Sequence, residues 1–222
     1  MRNLIIAIDG PAGAGKSTIS RLISKKLGIN YIDTGAMYRA LTLKCISEGV
    51  DISQTDKVIE LCKNVEIDFI DNSIYLDGEN VDNKIRSSEI NLNVSNVAKI
   101  KEVREMMVKK QREIGMRSDV ILDGRDVGTH IFPNTKFKFF LNASPEERGR
   151  RRYEEIKDKE KNITLKEIIS GIKRRDDIDS SREVSPLVKA GDAHEIDSTN
   201  MSIEEVVDYI VNEVKINSKI GD

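Results

Sequence analysis

An α/β fold around a parallel sheet of about five strands is what this sequence predicts, and three observations carry the prediction. Short apolar runs recur along its 222 residues. Helical patterns with their own start signals lie between those runs. The first run leads straight into a glycine-rich loop that opens a helix.

The elements follow in order. Leu4-Ile5-Ile6-Ala7-Ile8 is an unbroken apolar run ended by Asp9-Gly10-Pro11, as suits a strand buried on both faces. A helical pattern runs from Lys16 to Leu27, and further strands are expected at Tyr31–Asp33, Val120–Asp123, Phe137–Leu141 and Glu195–Asp197. Ser144-Pro145-Glu146-Glu147 combines an N-cap serine, a proline at the first helical position and a glutamate three residues on. Thr164 with Glu167, and Ser202 with Glu205, repeat the capping spacing.

Two stretches depart from the alternation. Val65–Ile70 alternates with period 2, Asp71-Asn72-Ser73 turns, and Ile74-Tyr75-Leu76 returns, the pattern of a small antiparallel hairpin. An insert is therefore placed at 64–100, leaving 1–63 and 101–222 as the core. The second stretch is a helical pair from Pro145 to Arg182, ended by Pro186, with a lid at about 148–182. The tail after Val214 is expected to fray.

Lys plus Arg is 36 and Asp plus Glu is 38, a formal net charge of −2, which argues against a general nucleic-acid coat. Yet seven of the 15 arginines fall within residues 148–182. Cys45 and Cys62 lack the neighbours for a zinc site or a disulfide framework. The first apolar run is too short for a signal-peptide core or a membrane span, so a soluble, reduced, cytoplasmic protein is expected.

Gly10-Pro11-Ala12-Gly13-Ala14-Gly15-Lys16-Ser17 matches G-x-x-x-x-G-K-[ST]. Its glycines let backbone N–H groups wrap a polyphosphate, with Thr18 in the following turn. Lys16, expected to face solvent or ligand, would neutralise the transferring phosphoryl, and the Ser17 hydroxyl is a magnesium ligand candidate. The pattern signals a nucleoside triphosphate and does not say what it is used for.

Candidates for holding a second anion follow later strands. Thr34 and Arg39 sit at the start of a helix after Asp33. Arg125, in Asp123-Gly124-Arg125-Asp126, follows the third core strand, at the carboxyl end where open α/β sheets bind ligands, and can clamp a phosphate bidentately. Arg175, Asp179 and Arg182 share one helical face, and so do Arg148, Arg151 and Arg152. Any single such pair is more often a solvated stabiliser; their density points instead to phosphoryl transfer.

Taken together, these stretches resemble the bacterial cytidylate kinases, which are P-loop nucleoside monophosphate kinases. The match includes Ile8 to Ser17, Asp33-Thr34-Gly35-Ala36-Met37-Tyr38-Arg39, Asp123 to Thr129, Arg175-Asp176-Asp177 with Asp179 and Arg182, Ser185-Pro186-Leu187 and Ile196-Asp197-Ser198-Thr199. The resemblance implies a P-loop NTPase fold: a five-stranded parallel sheet flanked by helices, with an antiparallel β insert and a helical lid. It implies transfer of the γ-phosphoryl group of ATP to CMP or dCMP with Mg2+. Thr34, Tyr38, Arg39 and Arg125 would hold the acceptor's phosphate. Ser95, Arg104 and Asp126 would read the cytosine. Arg175, Asp179 and Arg182 would reach ribose and phosphate, with Arg148, Arg151 and Arg152 on a mobile lid loosely held across 148–162. Lys16, Arg125, Arg148, Arg151, Arg152 and Arg175 are the expected catalytic residues. Partners are small molecules only, without nucleic acid or membrane, for a monomer.

Two other readings stay in view. A nucleotide switch would need an acidic magnesium ligand after an apolar strand, which Asp123 could imitate, but it leaves Arg39, Arg125, Arg175 and Arg182 unexplained. A kinase for another small acceptor (UMP, AMP or shikimate) is disfavoured by the insert and the D-G-R-D stretch. His130 and His194 have no partner in sequence and read as structural histidines.

Overall fold

The apolar runs pair as one parallel sheet, because each is buried on both faces and only helices connect them. The computed structural model describes residues 3–157 and 163–218. In chain order the elements are β1 (Ile5–Asp9), α1 (Lys16–Leu27), β2 (Asn30–Asp33), α2 (Thr34–Ser47), α3 (Thr55–Asn64), β3 (Ile67–Ile70), β4 (Ser73–Leu76), β5 (Glu79–Asn80), a 3-10 turn (Lys84–Arg86), α4 (Ser88–Ala98) and α5 (Lys101–Gly115). Then come β6 (Val120–Gly124), a π-helical turn (Val127–Ile131), β7 (Phe137–Asn142), α6 (Pro145–Ile156), α7 (Leu165–Ser180), β8 (His194–Asp197) and α8 (Ile203–Ser218). The large sheet has the order β2-β6-β1-β7-β8, all parallel.

Side chains alternate between two cores. Ile6 and Ile8 of β1 face one core with Ile19 and Ile23 of α1 and Val207 and Ile210 of α8. Ala7 faces the other, with Met37 and Leu41 of α2 and Val103 and Met107 of α5. Ser144 caps α6 through the Glu147 N–H. Thr164 and Glu167 form a reciprocal capping box at α7, and Ser202 with Glu205 does the same ahead of α8.

Three expectations are corrected. The hairpin is a three-stranded antiparallel sheet, β3-β4-β5, because a second tight turn at Asp77 and Gly78, both with positive φ, adds β5. Its apolar face (Ile67, Ile74, Leu76) and α4's Val94 join the core that holds Ala7 and Met37, so the 64–100 stretch does not bury a core of its own. The tail stays helical past Val214, to Ser218, because Val214 is buried against the sheet.

The register brings three aspartates to one edge. Asp9 ends β1 opposite Gly124, and Asp33 ends β2 opposite Asp123. No helix among the described residues is long and apolar enough to cross a membrane.

Candidate active site

The chain leaves β1 through a turn that requires glycine. Gly10 has φ +150° and a Cβ there would lie 2.0 Å from the Leu141 carbonyl oxygen. Gly13 and Gly15 also occupy the left-handed region, at +76° and +87°. Gly15 caps α1 without a side-chain hydrogen bond, and the first turn holds no acidic residue. The helix start therefore keeps free N–H groups and a positive dipole end, which suits an anion.

Lys16 is buried and donates to the Pro11 carbonyl at 2.7 Å, which corrects the expectation that it faces solvent. Burial, reinforced by Arg125, pushes its pKa down to about 7. The Ser17 hydroxyl donates to Asp123 Oδ2 and the Tyr31 hydroxyl to Asp123 Oδ1, both at 2.8 Å. Burial and then the neighbouring Asp33 push Asp123 up to about 6. A hydroxyl beside a buried carboxylate is an oxygen donor set that suits a magnesium ion. Among the described residues no group of three or more His, Cys, Asp or Glu side chains could hold a metal alone, so phosphate oxygens and water would have to complete such a site.

A cleft of about 1530 Å³ runs from this loop to the insert. It is lined by Ala12 to Thr18, and by Thr34, Tyr38, Arg39, Ser95, Arg104, Arg125, Asp126, Arg151, Arg152, Arg175, Asp179 and Arg182. Gly10, Pro11 and Arg148 do not line it.

Far from the loop, side chains fix one another. The Thr34 hydroxyl donates to the Asp123 carbonyl at 2.7 Å, and Arg39 to Asp33 at 2.6 Å. Arg125 donates through Nε to Asp179 at 2.8 Å, and Arg182 to the same carboxylate's other oxygen. Burial would raise Asp179, but Arg125, Arg182 and Arg175 hold it below the usual carboxylate range. Arg104 donates to Asp126 at 2.6 Å and to the Ala98 carbonyl at 3.1 Å, and its guanidinium lies over the Tyr38 ring.

Polar groups in this cleft remain unsatisfied. Tyr38 Oη and the Nε atoms of Arg39, Arg104, Arg175 and Arg182 are buried and without a partner among the described residues. Arg175 has no carboxylate partner there, and burial, then Arg125, pushes its pKa down to about 10. Buried donors that converge without acceptors call for an anionic, hydrogen-bonding ligand.

The lid arginines separate. Arg148 is buried and donates to the Ala143 and Ala12 carbonyls and to Asp176 at 2.8, 2.9 and 2.7 Å. It is tied to the loop rather than displayed on a mobile face. Arg151 donates to Glu147 and to the Ser198 carbonyl, and Arg152 lies near the surface, paired with Glu155. Helices α6 and α7 meet so closely that a Cβ on Gly149 would lie 2.3 Å from Ile169, a tighter contact than a loosely held lid would make. Of the 148–162 stretch, residues 158–162 lie outside the described residues.

Sequence reasoning passed over Asp9, Tyr31 and Arg86. The carboxylate of Asp9 accepts the Val127 and Gly128 N–H groups at 2.8 and 2.7 Å. A buried-strand pattern that ends in a charge was the available signal for it. Tyr31 reaches Asp123, and Arg86 lines the cleft from the insert; nothing local in sequence marks either. His130 and His194 do not line the cleft.

Comparison with known proteins is consistent along the whole chain. The family model described as cytidylate kinase matches residues 6–216. The cytidylate kinase of Clostridioides difficile (strain 630) is 59% identical over 97% of this chain and 100% of its own. That of Bacillus subtilis (strain 168) is 47% identical over 98% of this chain and 99% of its own. An uncharacterized protein from Eubacterium ventriosum ATCC 27560, solved by crystallography, shares the fold with a TM-score of 0.54 and 12% identity, over 96% of this chain and 99% of its own.

Proposed function

We infer that this chain, which belongs to the cytidylate kinase family, transfers the γ-phosphoryl group of ATP to CMP or dCMP, giving ADP and CDP or dCDP. The observation that carries the reading is the set of buried, unsatisfied guanidinium groups facing a phosphate-binding loop across one cleft. One end suits a triphosphate and the other a second phosphate, the arrangement in-line transfer needs.

The residues divide the work as follows. The N–H groups from Ala12 to Thr18 receive the donor's phosphates. Lys16 leaves the Pro11 carbonyl for the transferring group. Thr34, Tyr38 and Arg39 hold the acceptor's phosphate, and Arg125 and Arg175 oppose the charge that spreads over the equatorial oxygens. An acceptor phosphate oxygen forms the new bond to the γ-phosphorus as the bond to the β–γ bridging oxygen breaks, and that oxygen leaves with ADP. Ser17 and Asp123 would hold Mg2+, which supplies charge neutralisation at the β- and γ-oxygens when bound. Arg182 and Asp179 reach the ribose and phosphate, while Ser95, Arg104 and Asp126 read the base. Arg151 and Arg152 sit at the outer rim, and Arg148 holds the loop to α7. We take the protein to work as a cytoplasmic monomer on small molecules, without nucleic acid.

The test is direct. Purified full-length chain with ATP and Mg2+ is offered CMP, dCMP, UMP, AMP and shikimate, and the phosphorylated products are measured. CMP and dCMP are expected to give the highest kcat/KM. Preference for AMP or shikimate, or ATP hydrolysis without transfer, overturns the reading.

A further inference from the structure

Asp9 ends β1 immediately before the phosphate-binding loop, yet its side chain turns away from that loop. It is 5% exposed, and its two carboxylate oxygens each accept one backbone N–H, Oδ1 from Val127 at 2.8 Å and Oδ2 from Gly128 at 2.7 Å. Those are the first two N–H groups of the π-helical turn Val127–Ile131, whose N-cap residue, Asp126, supplies no side-chain cap. Helix starts leave such donors orphaned unless something accepts from them. Here the acceptor comes from another strand, 118 and 119 residues away in sequence.

The segment so anchored follows directly on Arg125 and Asp126. Arg125 reaches Asp179 on one side, and Asp126 receives Arg104 on the other. Space around the anchor is tight. A Cβ on Gly124 would lie 2.6 Å from Thr34 Oγ1, and one on Gly128 would lie 3.2 Å from Lys138 Cδ and 3.3 Å from Asp9 Oδ2. A shift in the two hydrogen bonds therefore moves the backbone that aims Arg125 and Asp126.

We propose that Asp9 is a positioning residue that sets the acceptor-reading loop against β1, through its paired hydrogen bonds to Val127 and Gly128. This rests on the kinase reading above. Only a carboxylate fits the task. It presents two acceptors, whereas an asparagine presents one acceptor and one NH2 group, which would face a backbone N–H donor to donor.

Asp9→Asn and Gly128→Ala test the idea from the two sides of the contact, each compared with the wild-type protein. Both are expected to lower kcat for CMP by about tenfold or more, as small misplacements in phosphoryl transfer do. Both should lower the CMP-over-UMP ratio of kcat/KM by about threefold or more, with ATP affinity in the absence of acceptor within about twofold of wild type. A purely structural role would lower the unfolding midpoint and leave the ratio alone. A folded Asp9→Asn with unchanged kcat and ratio overturns the proposal. So does a loss confined to stability, or a loss of ATP affinity as large as the loss of kcat. If Asp9→Asn does not fold, Gly128→Ala decides by the same measures. Wild type that fails to phosphorylate CMP would sink the kinase reading instead, separately from this one.

Discussion

Ser17 Oγ donates to Asp123 Oδ2 at 2.8 Å, which joins the first turn of α1 to the end of β6. The carboxylate is buried and lies beside Asp33, and it is pushed up to about 6. A group whose acid pKa is raised on folding binds a proton in the native state that the unfolded chain has lost, so its contribution to stability falls as pH rises from about 4 to about 6. Asp123 thus costs stability at neutral pH, the expected signature of a site held ready for a cation.

Asp123→Asn should therefore separate stability from activity. At pH 7 the variant should unfold at a temperature no lower than wild type. The Mg2+ concentration for half-maximal rate at saturating ATP should rise about tenfold or more. Magnesium titrations of both proteins check this, and an unchanged midpoint would remove Asp123 from the metal site.

Lys16 supplies a second pH effect. Buried and near Arg125, it has a pKa of about 7 without ligand, so at pH 8 most of it is neutral. A polyphosphate favours the charged form and raises that pKa. Binding of ATP at pH 8 should then take up a proton, approaching one per site, and affinity should weaken as pH rises above about 7. Calorimetry in two buffers of different ionisation enthalpy measures the uptake directly. Lys16→Met should abolish it.

The frame of this molecule was readable because its signals are local. Five apolar runs became five parallel strands, and the loop, with its lysine and serine, lies where the strand–loop–helix pattern put it. What escaped depends on contacts between distant residues. Arg148 falls at helical spacing from Arg151 and Arg152 and so looked like part of a displayed row. Its burial comes from Ala12, Ala143 and Asp176, and the Ala12 and Asp176 contacts arise only once α6 and α7 fold against the loop. Asp9 looked like the end of a strand because its partners lie more than a hundred residues on. The third strand of the insert is two residues long, too short for any periodicity to show.

The Arg148–Asp176 pair makes its own prediction. Both side chains are largely buried, at 4% and 19% exposure, and both also hold the Ala12 peptide, at its carbonyl and its N–H. Removing one partner of a buried pair strands the other, at a cost of about 3–5 kcal/mol. Arg148→Ala should lower the urea midpoint accordingly, and in a double-mutant cycle with Asp176→Ala the two losses should not add. A loss below about 1 kcal/mol, the range of an exposed pair, would show that the pair does not fasten α6 and α7 to the loop.

Base choice gives the sharpest test, because the structure removes a freedom that composition left open. Asp126 and Arg104 are not two independent readers. They are bonded at 2.6 Å, with side chains 5% and 2% exposed. Oδ2 of Asp126 is taken by Arg104, which leaves Oδ1 to face a ligand in the cleft that Asp126 lines. A carboxylate there accepts from the N4 amino group of cytosine and opposes the O4 acceptor of uracil, while the guanidinium donates to N3 and O2 of cytosine. In Asp126→Asn the amide is not free to rotate. Arg104 can only donate, so the amide oxygen must stay on its side and the NH2 group must turn to the base. That NH2 mismatches the cytosine amino group and matches uracil O4. The ratio of kcat/KM for CMP over UMP should therefore fall, by about 5- to 150-fold for a base contact worth about 1–3 kcal/mol. Measured on folded variant and wild type side by side, an unmoved ratio would mean that Asp126 serves only to hold Arg104. The base would then have to be recognised by Ser95 and Arg104 alone.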